Sequence, residues 1–473
     1  MNSTSLLLAG LALTTIAAFG KTIPNNAEAS LVLGQVDFTA KLAPFPPNAA
    51  SLYYPSSVIV DPVTRKVFVA DEGNQRVLRY ASADALANGA QAEAVFGQAL
   101  FTTQTVAVTS NQFGGYPESI FLDTKGRLWV PDWAGNRVLR FDFASSCDSS
   151  PSANRVYGQP DFTTGTAATT STGMRQPFGV WVDSADRLWV ADTGNNRVLR
   201  FDSITTKPSG AAADGVLGQA NFTTGTAGSG DNGMYVPTGV TMSAGGSLYV
   251  TCYNANRVMR FDNASGLGAN APASAVLGQP DFATVTDGTT AVKMRSPNGV
   301  WITPDDSLWV ADTDNNRVLR FNNASTKPSG AAADGVLGQS DFTSGLPATT
   351  RRGMNSPGYR PFVDTTGSLW IADSDNNRVL RFSPDATPPL LAVTAPAKVT
   401  KKPKLVIKGT ASDTYGISKV EYRIGKGPLR LATGTTAWSF KANLKKGKNT
   451  ITVIATDVDG IQSLSKVVKI TRK

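Results

Sequence analysis

Read from Pro177, the chain falls into short apolar runs separated by polar clusters. The first run covers residues 179–183, the second 187–191, the third 196–201 and the fourth 215–219. Each holds five or six residues, is rich in Val, Trp, Phe and Leu, and is bounded by Gly, Pro, Asp, Asn or Ser. That pattern predicts four β-strands, and no helical period competes with it. Residues 183–186 (Asp-Ser-Ala-Asp) and 192–196 (Asp-Thr-Gly-Asn-Asn) predict tight turns, because Asp, Asn and Gly tolerate left-handed backbone.

The same unit recurs. The phrase Val-Leu-Gly-Gln-x-Asp-Phe places its glycine at Gly34, Gly97, Gly158, Gly218, Gly278 and Gly338. The phrase Asp-x-x-Asn-Asn-Arg-Val-Leu-Arg-Phe places its first arginine at Arg76, Arg137, Arg197, Arg257, Arg317 and Arg378. Both phrases step by 60 to 63 residues, a period that signals an array or a propeller. Four hairpin-linked strands per unit, six times over, predict an all-β, six-bladed β-propeller. The phase of the phrases adds to this. The chain opens with a fourth-strand phrase, Val32-Leu33-Gly34-Gln35, that has no unit before it. The array ends on a third-strand phrase at Arg378 to Phe382 with none after it. Residues 31–38 are therefore expected to supply the outer strand of the last blade, closing the ring and removing an unpaired edge.

The unit resembles the NHL repeat, whose pattern is Pro-x-Gly-Val, then Leu-Tyr-Val-Ala-Asp, then Asn-x-Arg-Ile/Val. Pro177, Gly179, Leu188, Val190, Ala191, Asp192, Asn196, Arg197 and Val198 carry the match, which runs from about residue 30 to 383. The resemblance implies a fold and leaves function open. Such propellers serve as binding platforms, as RNA binders in tripartite-motif proteins, and as enzymes in an amidating lyase.

Most signature residues read as architecture. An Asp before a hairpin turn accepts backbone N–H groups, and the Arg is expected to bridge blade to blade. Residues 312–316 (Asp-Thr-Asp-Asn-Asn) resemble the start of a calcium loop, but Arg317 stands where Gly is needed and Asn323 where Glu is needed. Trp129, Trp189, Trp309 and Trp370 share one repeat position, and Trp181 and Trp301 share another, which points to packing between blades. Met174, Met234, Met294 and Met354 read as core plugs. Departures from the repeat say more. The residue after the signature Asp is Glu72, Thr193, Thr313 or Ser374 in four blades and aromatic in two, Trp133 and Tyr253. Exposed aromatics of this kind stack on sugars or peptides, or pack on a neighbouring loop. With Arg175, Tyr235, Arg295, Arg351 and Arg352 on nearby loops, they define a candidate binding face.

Composition narrows the chemistry. The chain of 473 residues has no histidine, which excludes Ser-His-Asp and Cys-His nucleophiles and His-ligated metals. Its two cysteines, Cys147 and Cys252, occupy non-equivalent repeat positions, and spacing alone does not bring them within disulfide reach. Residues 389–473 hold 17 of the 45 Lys and Arg but 4 of the 36 Asp and Glu, so the basic character belongs to the C-terminal segment and the remainder is mildly acidic. Residues 6–19 form an apolar run too short to span a bilayer. Small residues at 18–20 and 27–29 then offer cleavage sites, so residues 1–29 read as an export signal cut near 20 or 29. No Lys or Arg precedes the run, and a buried N-terminal strand or helix is the alternative.

The expected organisation is signal peptide 1–29, propeller 30–384, linker 385–390 and a small β-sandwich 391–473. The last rests on short strands at 404–408, 417–424, 438–441, 449–456 and 466–471. Phrases such as Gly409-Thr-Ala-Ser-Asp413 and Gly447-Lys-Asn449-Thr-Ile-Thr-Val453 resemble bacterial Ig-like domains of surface proteins.

The expected function is a monomeric binding or scaffold protein that is secreted, periplasmic or at the cell surface. Its propeller face would take a protein or polysaccharide, and its basic domain would serve as spacer or as anchor to anionic cell wall or membrane. No cofactor, metal or nucleic acid is expected. The alternative is a lyase or hydrolase working without histidine; an RNA-binding propeller is a lesser one. Lactonase-like propellers need an inward ring of Glu, Asn and Asp. The first strands, read as starting at Val58, Ile120, Val180, Val240 and Val300, give such a ring no source. Acidic side chains converging in the central channel would favour the enzyme.

Overall fold

The computed structural model describes residues 23–473 apart from residues 386, 395, 397 and 459. Most of the expected export signal lies outside the described residues. Two compact units follow in the chain.

The first unit contains six antiparallel four-stranded sheets, the blades of a propeller. In the third blade the strands are Pro177–Val182, Leu188–Asp192, Arg197–Phe201 and Gly215–Leu217, in the expected order. Register places Trp181 against Trp189, Trp189 against Arg200, and Arg200 against Gly215. Ring closure is as the phase demands. Leu31–Leu33 pairs with Arg378–Phe382, Val32 opposite Leu380, and forms the outer strand of the sixth blade. The pairing stops at Leu33 because Gly34 turns with φ of 85°.

The repeated phrases now have mechanical roles. The glutamine of Val-Leu-Gly-Gln donates from its amide to the carbonyl that precedes each signature arginine, as in Gln219 to Asn196 at 2.9 Å. Gln35 does the same to Asn377 at 2.8 Å, across the closure. The glycine before it is required: Gly218 has φ of 84°, and a Cβ there would lie 2.7 Å from the Met234 sulfur. Met174, Met234, Met294 and Met354 are fully buried against these glycines, as expected of core plugs.

Five signature pairs are buried ion pairs, for example Arg197 Nε to Asp192 Oδ2 at 2.6 Å with both side chains 0% exposed. Arg197 also donates to the carbonyls of Phe222, Thr170 and Gly173 and so ties its own blade to the loops on either side. Direct blade-to-blade bridging, expected of this arginine, falls to the second one of Arg-Val-Leu-Arg. Arg140 donates to Ile204 O, Arg200 to Ser265 O and, across the closure, Arg381 to Ala83 O. Asp312 accepts from Arg317, Asn315 and the Arg295 amide.

The second unit is a β-sandwich of a three-stranded and a five-stranded sheet. Its long strands are Lys404–Ser412, Ile417–Ile424, Ala437–Asn443, Gly447–Asp457 and Lys466–Arg472. Ile407, Val420, Trp438, Phe440, Ile451 and Val453 fill the core between the sheets. Among the described residues no helix is long and apolar enough to cross a membrane.

Candidate ligand site at the channel mouth

The inner strands begin three residues earlier than their valines suggest, at Pro55, Pro177, Pro237 and Pro297. A register shift follows each of these prolines. The bulge turns the two residues after the proline toward the axis (in the sixth blade, where Gly358 is extra, the second and third), while Val58, Ile120, Val180, Val240 and Val300 are buried in the hydrophobic core. An inward ring therefore exists that the valines concealed. Nearest the b–c turns it consists of Ser56, Glu118, Phe178, Thr238, Asn298 and Tyr359. The next level holds Ser57, Ser119, Gly179, Gly239, Gly299 and Arg360.

Glycine at this second level has a steric cause. A Cβ on Gly299 would lie 1.6 Å from Tyr359 O, and one on Gly179 would lie 2.2 Å from Thr238 O. Three neighbouring glycines leave room for one long side chain, Arg360. From the sixth blade it donates to Ser119 Oγ in the second at 3.0 Å and to Val180 O in the third. Its guanidinium lies 5.4 Å from the Phe121 ring centre and 5.9 Å from that of Trp301. Burial pushes its pKa down to about 9. Further down the axis Phe121, Trp181, Trp301 and Phe362 stack ring to ring at 4.5 to 5.3 Å and plug the channel. Trp181 and Trp301 thus meet across the axis rather than between adjacent blades.

Above this bolt the mouth is acidic and aromatic. Phe178 and Tyr359, from opposite blades, touch edge to face at 4.5 Å. The Tyr359 hydroxyl donates to the Glu72 carboxylate. Burial pushes the Glu72 carboxyl up to about 7, and the nearby Asp71 adds to the rise. Glu118 is 4% exposed, and its Oε2 has no hydrogen-bond partner. Burial and then the charge of Glu72 hold Glu118 well above the usual carboxylate range. Tyr253 sits near enough to act electrostatically on Tyr359. Thr193, Thr313 and Ser374, equivalent to Glu72 and Tyr253, instead bond the proline carbonyl of the next blade.

The expected face is thus divided. Tyr253 belongs to the mouth. Trp133 packs at 5.8 Å against the exposed Tyr116. Tyr235 is exposed on the loop leading into the fourth blade. Arg175 is exposed, and its amide donates to Asp192. Arg295 lies 3.5 Å from Asp287 and lines a polar cleft of about 540 Å³ with Asp314 and Gln339. Arg351 donates to Ala29 O and lies over the Phe38 ring, and Arg352 pairs with Glu28 at 3.1 Å; both hold the N-terminal segment. Glu118, Tyr359 and Arg360 escaped notice in the sequence, although their blades, with residues 117–120 (Pro-Glu-Ser-Ile) and 357–360 (Pro-Gly-Tyr-Arg), both depart from Pro-x-Gly-Val. Both cysteines are free, Cys252 fully buried and Cys147 partly so.

Two family models match segments of the chain. Family models for the NHL repeat match residues 174–201 and 294–321. One for a bacterial Ig domain matches residues 389–453. The six-bladed propeller thus carries NHL repeats, and a bacterial Ig domain follows it in the chain. No curated protein matches the chain in sequence. Solved structures similar in shape include a streptogramin B lyase at 11% identity, covering 71% of this chain and 93% of that one, with a TM-score of 0.40. Virginiamycin B lyase from Staphylococcus aureus is 13% identical over 74% of this chain and 97% of its own, with a TM-score of 0.40. The extracellular domain of a one-component system from B. thetaiotaomicron is 14% identical over 89% of this chain and 56% of its own, with a TM-score of 0.41.

Proposed function

We propose that this is an exported or cell-surface binding protein whose propeller takes a protein or polysaccharide at the channel mouth. The Ig-like domain, with its basic charge, acts as spacer or anchor. The buried, unpartnered Glu118 Oε2 carries this reading. An acceptor without a donor in a mouth walled by Phe178, Tyr253 and Tyr359 suits a ligand that brings its own donor, such as a sugar hydroxyl or amine or a basic side chain. Screening the full-length protein on glycan and cell-wall polymer arrays tests it. Binding that falls with Tyr253→Ala and Glu118→Gln supports the mouth. Binding that survives both, and falls only with Trp133→Ala or Arg295→Ala, moves the site to the outer loops.

One observation favours an enzyme as the second reading. Glu72 and Glu118 are two coupled carboxyls with proton affinities pushed up to different extents, an arrangement suited to acid–base work near neutral pH. A lyase or hydrolase activity lost in both Glu72→Gln and Glu118→Gln, with ligand binding kept, would replace the binding reading.

A further inference from the structure

The Ig-like unit gathers three carboxylates that no part of the propeller reading uses. Asp385 precedes its first strand, Asp413 follows Lys404–Ser412, and Asp457 ends Gly447–Asp457. One oxygen from each lies within 4.8 Å of the others. Segments 28, 44 and 72 residues apart in sequence are thus brought to one point by the sandwich. One oxygen of each side chain accepts a backbone amide. Asp385 Oδ1 accepts the Thr387 amide at 2.9 Å, Asp413 Oδ1 the Tyr415 amide at 2.9 Å, and Asp457 Oδ1 the Ile461 amide at 2.8 Å.

Such crowding needs a cause. Asp385 is 6% exposed, and its Oδ2 is buried without a hydrogen-bond partner. A buried carboxylate oxygen left unmet is costly, and a second and third carboxylate beside it raise the cost. Asp413 reflects this: burial, followed by the charges of Asp385 and Asp457, moves its carboxyl upward against the Tyr415 amide. A positive charge at the convergence point would meet the orphaned Asp385 oxygen and relieve the crowding on Asp413. The donors are all oxygen, which suits a hard cation, and they come from a strand end and two connecting segments. We infer that Asp385, Asp413 and Asp457 form a calcium site that locks the start of the Ig-like domain to two of its strand ends.

The test uses the full-length protein and the metal itself. Calcium titrated calorimetrically into chelator-treated protein is expected to bind one ion in the sub-millimolar range typical of extracellular modules, roughly 10⁻⁴ to 10⁻³ M. Terbium in its place is expected to show emission sensitised by Tyr415, reversed by calcium. Magnesium should bind about tenfold more weakly or less, since it demands shorter, octahedral ligation. Asp413→Asn should weaken calcium at least about tenfold. It should also leave the calcium-free domain no less stable than the wild type, because one crowded charge is gone. If that variant fails to fold, the wild-type titrations decide alone, with Asp287→Asn as the acidic control. No calcium heat and no terbium emission up to about 10 mM overturns the site. So does an Asp413→Asn protein that binds calcium unchanged, and equal binding of magnesium overturns the choice of metal.

Discussion

Arg257 lies fully buried beside Cys252, and its Nε has no acceptor, whereas the equivalent arginine in each of the other five blades bonds an aspartate. Cys252 Sγ contacts the Met259 sulfur instead, at 3.6 Å. A charged donor left unsatisfied in the interior costs about 1–3 kcal/mol or more. Cys252→Asp restores the shared geometry and is expected to stabilise the propeller by roughly that amount, read as a raised midpoint in denaturant at unchanged slope. The reverse change at a complete site, Asp312→Ala, strands Arg317 and is expected to cost about 3–5 kcal/mol. If Cys252→Asp is neutral or destabilising, the fourth blade has adapted to the thiol and the orphan nitrogen is met by water.

The closing strand is three residues long. Leu33 is fully buried opposite Val379 and fills the outer-strand position that the fourth strand of the same repeat fills in the other blades. Leu33→Asp puts an unpaired charge in that position and is expected to cost roughly 4 kcal/mol or more. The damage should begin locally. Limited proteolysis is expected to cut first in the sixth blade around residues 340–360, before the second and third blades are attacked. Simultaneous loss of all blades would show that the ring has no weak seam.

The N-terminal segment separates the two cleavage sites. Asn25 Oδ1 accepts the Val336 amide at 3.1 Å, and the Asn26 amide donates to Val336 O at 3.2 Å. Ala27 and Ala29 are fully buried, and Glu28 pairs with Arg351 and Arg352. Cutting after Ala29 removes this strap from the fifth and sixth blades; cutting after Gly20 keeps it. N-terminal sequencing of exported protein is expected to begin at Lys21. A start at Ser30 would make the strap dispensable, and a retained Met1 would remove the export signal altogether.

The architecture was legible because it is written six times. A 60-residue period, a four-strand pattern within it and the phase of Val32-Leu33-Gly34-Gln35 define blades, order and closure without any tertiary information. The mouth was not legible, for a physical reason. Which residues of an inner strand face the axis depends on the bulge after the proline, and a one-residue shift moves a side chain to the other face. Counting from Val180 hides Phe178, Glu118 and Tyr359; counting from Pro177 exposes them. Tyr253 was found because it breaks the pattern on a turn whose direction needs no register. The three aspartates of the Ig-like unit lie too far apart in sequence, and in phrases too ordinary, for spacing to join them.

Glu72 gives the mouth a pH dependence with a definite sign. Its carboxyl titrates at an ordinary 4.5 when unfolded and at about 7 in the fold. Between those values the folded protein keeps a proton that the unfolded chain has lost. Stability is therefore highest below about pH 4.5 as far as this group is concerned, and it falls as pH rises toward 7. The loss amounts to at most ~3.5 kcal/mol, since one pKa unit corresponds to about 1.4 kcal/mol. Glu118, held higher still by burial and by Glu72, extends the decline above pH 7 in the same direction. Thermal melts of the propeller are expected to drop between pH 5 and 7.5, the interval these shifts span. Glu72→Gln is expected to flatten that slope, and a donor ligand bound at the mouth should flatten it too by favouring the charged carboxylates. A melting temperature that rises over this interval would mean that a cation already neutralises the pair.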